Sequence, residues 1–307
     1  MKFGNFLFPD CRDPGRDGVV IDETLREAWL SDEHGVDVIW LAEQLAILDN
    51  ITKGRLIVGL GRGSSYNIYD YQGFGIDHHE AQARLEEAEG ILVKAWTRED
   101  FEHKGRYWHL KVPMLRPRPY TKPHPPLIRA ASGEASLLEL ARRGSPFLMN
   151  VQSMAVTRAR VSDYRKTMRE AGFDEETIAH NLEQCWVWRN VFVGNTDAEA
   201  ESVGVPAFQA MAESRATLRN RIYRETGMRI EVPQSDLPSA RASVEDGFIH
   251  GSPGTVAEAI AEIAALGIGG VIATFRLGPL PHEAAAGSLT LFMRQVAPEF
   301  RSPSASR

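Results

Sequence analysis

Cysteine is scarce in this sequence of 307 residues, which contains only Cys11 and Cys185. Two cysteines exclude a disulfide-stapled scaffold and are typical of a protein from a reducing cytoplasm, where we expect this one to act. No cysteines and histidines have the spacing of a zinc site, and the nine histidines form no recognisable catalytic constellation. The sequence therefore predicts no metal centre.

Long apolar runs and a basic excess are also lacking. No stretch approaches the 18 apolar residues of a membrane-spanning helix, and the apolar start over 1–8 is too short for a signal peptide. The 35 Lys and Arg residues are outnumbered by 41 Asp and Glu, which leaves a net charge of −6. These features argue against a membrane protein and against a dedicated nucleic-acid binder. With 43% hydrophobic residues, the chain has ample material for a globular core.

Strand-like and helix-like segments alternate along the chain, which is typical of a parallel α/β protein. Short apolar runs that start near residues 2, 36, 55, 127, 146, 186 and 270 predict seven buried strands. Helices are predicted over 21–33, 44–50, 79–96, 133–143, 155–171, 197–211, 255–265 and 282–296. Seven strands fall between the eight of a closed barrel and the five or six of a doubly wound sheet. We expect one domain over 1–301, with a hairpin over 101–112, a polar surface excursion over about 213–246 and a flexible tail over 302–307.

One candidate anion site lies where the strand that begins at 127 runs into the next helix. Its turn of small residues comprises Ala131, Ser132, Gly133 and Ser136. Free backbone N–H groups at a helix N-terminus bind phosphate well, and glycine lets a ligand approach closely. The alternative is that the serines only cap the helix.

A second candidate anion site follows the strand over 55–60. Gly61 and Gly63 allow close approach of a ligand, and the Arg62 guanidinium is a fork-shaped donor for phosphate. The spacing is Gly-x-Gly-x-Gly and residues 66–75 do not read as a helix, so a dinucleotide-binding turn is disfavoured. An ordinary loop arginine is the alternative.

Glu43, at the end of the run VIWLA, is a candidate catalytic carboxylate or else the cap of the next helix, and chemistry alone favours the cap.

Seven segments have to be considered together. They are MKFGNFLF at 1–8, GVDVIWLAE at 35–43, LDNITKGRLIVGLGRG at 48–63, FG at 74–75, LRPRPYTKPHPPLIRAASGEAS at 115–136, GFIHGSP at 247–253 and LPHEAAAGSLTLFMRQVAPEF at 280–300. Together, and in this order, they resemble the bacterial luciferase-like, flavin-dependent monooxygenase family. The likeness covers nearly the whole chain.

The resemblance implies a TIM-type (β/α) barrel that binds reduced FMN, its co-substrate, at the C-terminal mouth. It also implies that reduced FMN and O2 oxygenate an aldehyde or another small organic substrate. A separate flavin reductase and a homodimer are the partners that it implies. Carried over residue by residue, the family's phosphate site falls on Arg62 and on Ser132, Gly133 and Ser136, within the two candidate anion sites.

The chain departs from the family after Glu43. The tripeptide Ala-Glu-Gln over 42–44 runs directly into LAILDN, so a βα unit of about 30 residues or more is missing. We therefore expect a luciferase-like barrel without its third strand and neighbouring helix, and without the family's histidine after the second strand. Glu43, Asn150 and Arg276 are then the polar groups left near the mouth as an acid or base.

Three other functions stay open on the sequence. A non-catalytic flavin-binding protein would keep the phosphate site and lose the chemistry, and would show flavin binding without turnover. A deazaflavin-dependent oxidoreductase would release a cofactor with a different absorption spectrum. A scaffold or interaction role would show no flavin binding at all.

Overall fold

A strand forms at each of the seven places where the sequence predicts one, and the hairpin over 101–112 forms as well. The computed structural model describes residues 4–7, 19, 22, 38–41, 44–63, 68–131, 133–227 and 243–300. Its strands are β1 (Gly4–Leu7), β2 (Val38–Leu41), β3 (Val58–Leu60), β4 (Phe101–Lys104), β5 (His109–Val112), β6 (Leu127–Ala131), β7 (Phe147–Met149), β8 (Trp186–Val193), β9 (Phe248–Gly251) and β10 (Gly270–Thr274). Its α-helices are α1 (Gln44–Ile51), α2 (Ile68–Gly73), α3 (Ala81–Thr97), α4 (Glu134–Arg142), α5 (Met154–Glu170), α6 (Glu175–Glu183), α7 (Asp197–Thr226), α8 (Val244–Gly247), α9 (Pro253–Ala264) and α10 (His282–Leu291). The helix predicted over 21–33, residue 22 apart, and the tail over 302–307 lie outside the described residues.

The structure corrects the sequence prediction at four elements. The helix predicted to end at 211 continues as α7 to Thr226, so the first part of the expected surface excursion is helical. Arg221 and Glu225 pair one turn apart in this extension, and Gly227 ends it in the left-handed conformation with φ +67°. Helix α2 forms within 66–75, where the sequence predicts none, and β9 and α6 form where no element is expected. None of the helices in the described ranges combines the length and hydrophobicity that crossing a bilayer requires.

Contacts divide the chain into two compact units. Unit one comprises Met1–Arg62 and Gly75–Leu127, and unit two comprises Gly63–Phe74 and Ile128–Arg307. The single domain over 1–301 stays a prediction. In unit one, β1 and β2 pair in parallel, with Gly4 opposite Val38 and Leu7 opposite Leu41.

In unit one, helix α1 anchors the proline-rich segment that follows the hairpin. Asp49 is fully buried, and its carboxylate accepts hydrogen bonds from the Thr121 backbone N–H at 2.7 Å and from the Thr121 hydroxyl at 3.0 Å. The Asn50 amide donates to the Arg118 carbonyl at 2.8 Å. These contacts give the Asp-Asn pair of the LDNITKGRL segment a structural role.

A carboxylate also fixes the turn of the β4–β5 hairpin in unit one. Glu87 on α3 accepts hydrogen bonds from the backbone N–H groups of Arg106, Tyr107 and Trp108 and pairs with His103 Nε2 at 2.9 Å. Partial burial by itself raises the pKa of Glu87, but the hydrogen bonds from His103 and the three N–H groups outweigh it and lower the pKa to about 2. The carboxylate is therefore ionised at neutral pH and holds the turn.

Unit two is built on parallel strands in the order β10-β8-β7-β6, with β9 beside the second half of β8. The pairs β6–β7, β7–β8, β8–β9 and β8–β10 are all parallel. One face of the sheet packs against α4, α5 and α9 in a core that includes Met149, Val187 and Val191 from the strands. Gly251 ends β9 with φ +151°, and a β-carbon there would lie 2.7 Å from the Thr255 side chain.

The opposite face of this sheet carries large apolar side chains and is only partly covered. Because side chains alternate along a strand, Trp186 and Trp188 face away from the core that Val187 joins. Both tryptophans are half-buried. Ile272, opposite Trp188 in register, is 41% exposed.

The order and parallel pairing of the strands are those of an α/β barrel that lacks one strand–helix unit. Along the chain, β2 is followed by α1 and then by β3, and the described residues between them hold no further strand. This is where the sequence predicts the loss of the third strand. The described strands and helices confirm the expected fold class, an α/β barrel architecture in partial form.

Candidate active site

The carboxyl ends of β6, β7, β8 and β10 lie along one edge of the unit-two sheet, because these strands are parallel. In α/β folds, ligands bind at this edge and in the loops behind it. The candidate site is therefore built from the residues that end these strands and from those that follow them.

The turn between β6 and α4 carries the first predicted anion site. Ala131 ends β6 with 1% of its surface exposed, and Gly133 is the N-cap of α4. The Ser136 hydroxyl donates to the Gly133 carbonyl at 2.8 Å, and the Gly133 N–H donates to that hydroxyl at 3.3 Å, so Ser136 caps the helix. Apart from its chain neighbours, no described residue has an atom within 4 Å of where a β-carbon at Gly133 would lie, so the described part of the structure leaves the start of α4 open on this side. Ser132 lies outside the described residues.

The second predicted anion site, Gly61 to Gly63, follows β3 at the boundary between the units. All three residues are exposed, and Gly63 has φ +79°, which glycine adopts without strain. Gly61 and Arg62 belong to unit one, whereas Gly63 and Gly133 belong to unit two. Binding of one phosphate by Arg62 and α4 together stays a prediction.

Helix α2, the next described element after Gly63, is attached to the end of α7 within unit two. The Tyr69 hydroxyl donates to the Glu225 carboxylate at 2.5 Å, and Arg221 Nε donates to the same carboxylate at 2.8 Å. The hydrogen bond to Glu225 raises the pKa of Tyr69, so its hydroxyl keeps its proton. The attachment holds α2 on α7.

The three residues proposed as acid or base have different outcomes. Glu43 lies outside the described residues, so its role stays a prediction. Asn150 follows β7 and is half-buried, and Arg276 follows β10 and is exposed. Both therefore lie in loops at the carboxyl edge of the sheet, where the sequence predicts them.

Sequence reasoning missed a group of polar side chains in the middle of β8 and at the end of β10. Asn190 is fully buried within β8, and its amide donates to the Gly247 carbonyl at 3.0 Å. Thr274 lies opposite Asn190 in register, and its hydroxyl accepts a hydrogen bond from Trp188 Nε1 at 2.7 Å. Trp188 therefore acts as a hydrogen-bond donor to the end of β10. The available signal was the polar Arg189-Asn190 pair inside the otherwise apolar strand WVWRNVFV.

Two buried titratable groups of the sheet have structural roles. Burial lowers the pKa of Arg189 to about 10, which still leaves it charged at neutral pH, and it donates to the Thr157 hydroxyl at 2.7 Å. Burial raises the pKa of Cys185 to about 12, and its thiol donates to the Asn181 carbonyl at 3.2 Å. Cys185 therefore supplies no thiolate nucleophile at neutral pH.

One group of potential metal ligands occurs among the described residues. The ligand atoms of Asp77, His78 and His79 lie within 4.8 Å of one another. The Asp77 carboxylate accepts the His79 backbone N–H at 2.9 Å and caps the 3-10 turn His78–Glu80. Capping accounts for this arrangement without an ion.

The sequence comparisons identify relatives. The family model described as luciferase-like monooxygenase matches residues 36–269. The FMNH2-dependent dimethylsulfone monooxygenase of Pseudomonas putida is 26% identical over 247 residues, which are 76% of this chain and 64% of that protein. The oxygenase component of the flavin-dependent trigonelline monooxygenase of Acinetobacter baylyi is 34% identical over 93 residues, 30% of this chain and 26% of that protein. The chain thus matches less than two thirds of the length of these relatives.

Solved structures share the fold. The monooxygenase RslO1 from Streptomyces bottropensis superposes with a TM-score of 0.61 at 22% identity, over 98% of this chain and all of that one. The oxygenating constituent of 3,6-diketocamphane monooxygenase from Pseudomonas putida, solved in complex with FMN, gives a TM-score of 0.57 at 19% identity, over 98% of this chain and 89% of that one. The family model covers most of the chain, and the strand order agrees with it. The chain belongs to the luciferase-like monooxygenase family.

Proposed function

We propose that this protein is the oxygenase component of a two-component flavin-dependent monooxygenase. It would take reduced FMN as a co-substrate from a separate flavin reductase and use O2 to oxygenate a small organic molecule. The observation that carries the proposal is the family match over residues 36–269. The names of the two relatives support it, because one states FMNH2 dependence and the other an oxygenase component.

The described residues fit a flavin at the carboxyl edge of the unit-two sheet. The start of α4 is open at Gly133, and the buried Oδ1 of Asn190 has no hydrogen-bond partner among the described residues. The backbone N–H groups at the start of α4 would hold the phosphate, since a helix N-terminus favours an anion. Arg62 stays a phosphate ligand proposed from the family resemblance alone. When bound, reduced FMN supplies the electrons that activate O2.

The partly covered face of the unit-two sheet is evidence for a small, largely apolar substrate. Trp186 and Trp188 are half-buried there, and Ile272 is 41% exposed. Aromatic and aliphatic side chains of this kind line most small-molecule sites. Glu43 stays the proposed proton donor or acceptor, because Asn150 has no titratable proton and arginine side chains are not deprotonated in proteins.

A non-catalytic flavin-binding protein is the second candidate. The observation that favours it is the direct succession of β2, α1 and β3, without a further strand in the described residues between them. In such a protein the phosphate would still be held at α4, while the part of the wall expected from the missing unit would be lost.

Anaerobic titration with reduced FMN, with gel filtration alongside, tests both candidates. The monooxygenase proposal expects saturable binding of reduced FMN, elution as a homodimer and product formation when a reductase, O2 and a panel of aldehydes and sulfones are supplied. Stoichiometric flavin binding without any product would support the second candidate. A folded protein that binds no flavin would refute both.

A further inference from the structure

Gln152 is a buried side chain whose hydrogen-bonding groups are unused. Only 1% of its surface is exposed, and neither Oε1 nor Nε2 has a hydrogen-bond partner among the described residues. A buried amide without partners destabilises a protein, so such groups are rare and each calls for an explanation. Departures of this kind from the ordinary rules of folding are expected at functional sites.

Gln152 lies at the edge of the sheet where ligands bind. Strand β7 ends at Met149, and Ser153 caps α5 by accepting the Val156 N–H at 3.2 Å. Gln152 therefore belongs to the short loop between a parallel strand and its helix, at the carboxyl end of the strand. Position and burial together point to a ligand contact.

The strands next to this loop carry further buried polar side chains. Strand β7 ends at Met149, opposite Val187, and the adjacent β8 continues from there through Asn190, while the chain after β7 forms the loop with Gln152. Asn190 is fully buried, and its Oδ1 also has no partner among the described residues. Thr274 lies opposite Asn190 on β10. Strands β8 and β10 thus present polar side chains at one level of the sheet, and the loop after the adjacent strand β7 carries the unpaired amide of Gln152.

We propose that the Gln152 carboxamide binds the pyrimidine edge of the flavin, an inference that rests on the proposed function. That edge presents one N–H donor, N3–H, between two carbonyl acceptors. A carboxamide presents an acceptor and a donor side by side, so its oxygen accepts from N3–H while its NH2 group donates to a neighbouring carbonyl. Two parallel hydrogen bonds then satisfy the groups that the protein leaves unpaired.

The substitution Gln152→Met tests this assignment, because Met has a similar length and no hydrogen-bonding amide. In the ligand-free protein it should raise Tm by about 2–4 °C, since an unpaired buried amide is removed. It should also weaken binding of oxidised FMN roughly tenfold. A residue with a purely structural role would not give higher stability together with weaker binding.

The analogue 3-methyl-FMN, whose methyl group replaces the N3 hydrogen, locates the contact on the flavin. The wild-type protein should bind it roughly tenfold more weakly than FMN, whereas Gln152→Met should bind the two alike. A variant that still discriminates between them as strongly as the wild type would overturn the assignment to the pyrimidine edge.

Asn181 provides the matched control. Its buried amide donates to the Thr177 carbonyl at 3.1 Å within α6, so Asn181→Leu should lower Tm and leave the Kd for FMN unchanged. If Gln152→Met lowers Tm and leaves the Kd for FMN unchanged, this inference is overturned and the proposed function still stands. Failure of the wild-type protein to bind FMN would refute the proposed function and this inference with it.

Discussion

The buried carboxylate of Asp49 gives a test of how unit one holds together. Its two hydrogen bonds to Thr121 join α1 to the proline-rich segment, and the substitution Asp49→Ala removes both. A hydrogen bond to a charged group contributes about 1.5–3 kcal/mol, so two of them set a range of about 3–6 kcal/mol. Thr121 is half-exposed, and water can therefore bind its freed groups. We expect the lower end, a loss of about 3 kcal/mol in the free energy of unfolding.

Urea unfolding followed by circular dichroism measures this loss. Asp49→Asn keeps the shape and one acceptor oxygen, so it should cost about half as much as Asp49→Ala, roughly 1.5 kcal/mol. Asp163 is exposed on α5, and Asp163→Ala should change stability by less than about 0.5 kcal/mol. The reasoning is refuted if Asp49→Ala unfolds at the same urea concentration as the Asp163 control.

Three further predictions concern flavin binding, acid stability and backbone conformation. Arg62→Ala should weaken binding of reduced FMN by about 1.5 kcal/mol, roughly tenfold in Kd, because one charged hydrogen bond is lost at an exposed position. Arg55→Ala, also at an exposed position, is the control. An equal loss of FMN affinity in both variants would remove Arg62 from the site. The pKa of Glu87 is lowered to about 2 in the folded protein, so its stabilisation is complete above its ordinary value of 4.5 and is lost as the pH falls through about 2. Glu87→Gln should therefore flatten the stability curve over that interval, and an unchanged curve would contradict the role given to the carboxylate. Gly251→Ala should lower the free energy of unfolding by about 2 kcal/mol or more, because of the clash with Thr255 and the positive φ. Gly254→Ala, in open space, should stabilise α9 by up to about 1 kcal/mol. Equal melting temperatures of the two variants would contradict both expectations.

Local sequence patterns predicted most of the strands and helices. Each of the seven strands is a short apolar run bounded by polar or turn-forming residues, so the sequence alone locates it. Helix α7 was predicted too short because its second half is rich in arginine and polar residues, which form helix well but lack the apolar periodicity used to recognise one. Strand β9 was missed because a run of four residues carries too little pattern.

The candidate site also has features that the sequence predicts and features that only the structure shows. The turn around Gly133 is recognisable from sequence, because small residues between a strand and a helix mark a helix N-terminus wherever they occur. The hydrogen bonding of Ser136 within that turn is visible only in the tertiary structure, since a serine at N3 can cap the helix or face a ligand. Whether Arg62 joins the same phosphate stays a prediction.

The seven buried strands, the family and the two candidate anion turns could be predicted from the sequence alone, because each depends on residues that are neighbours along the chain. Only the tertiary structure decided which polar side chains are paired. Asp49 finds its partner at Thr121, Asn190 lies level with Thr274, and Gln152 finds none among the described residues. Such pairings depend on strand register and on contacts between distant segments, and a hydrogen bond made or missed there leaves no periodic trace in the sequence.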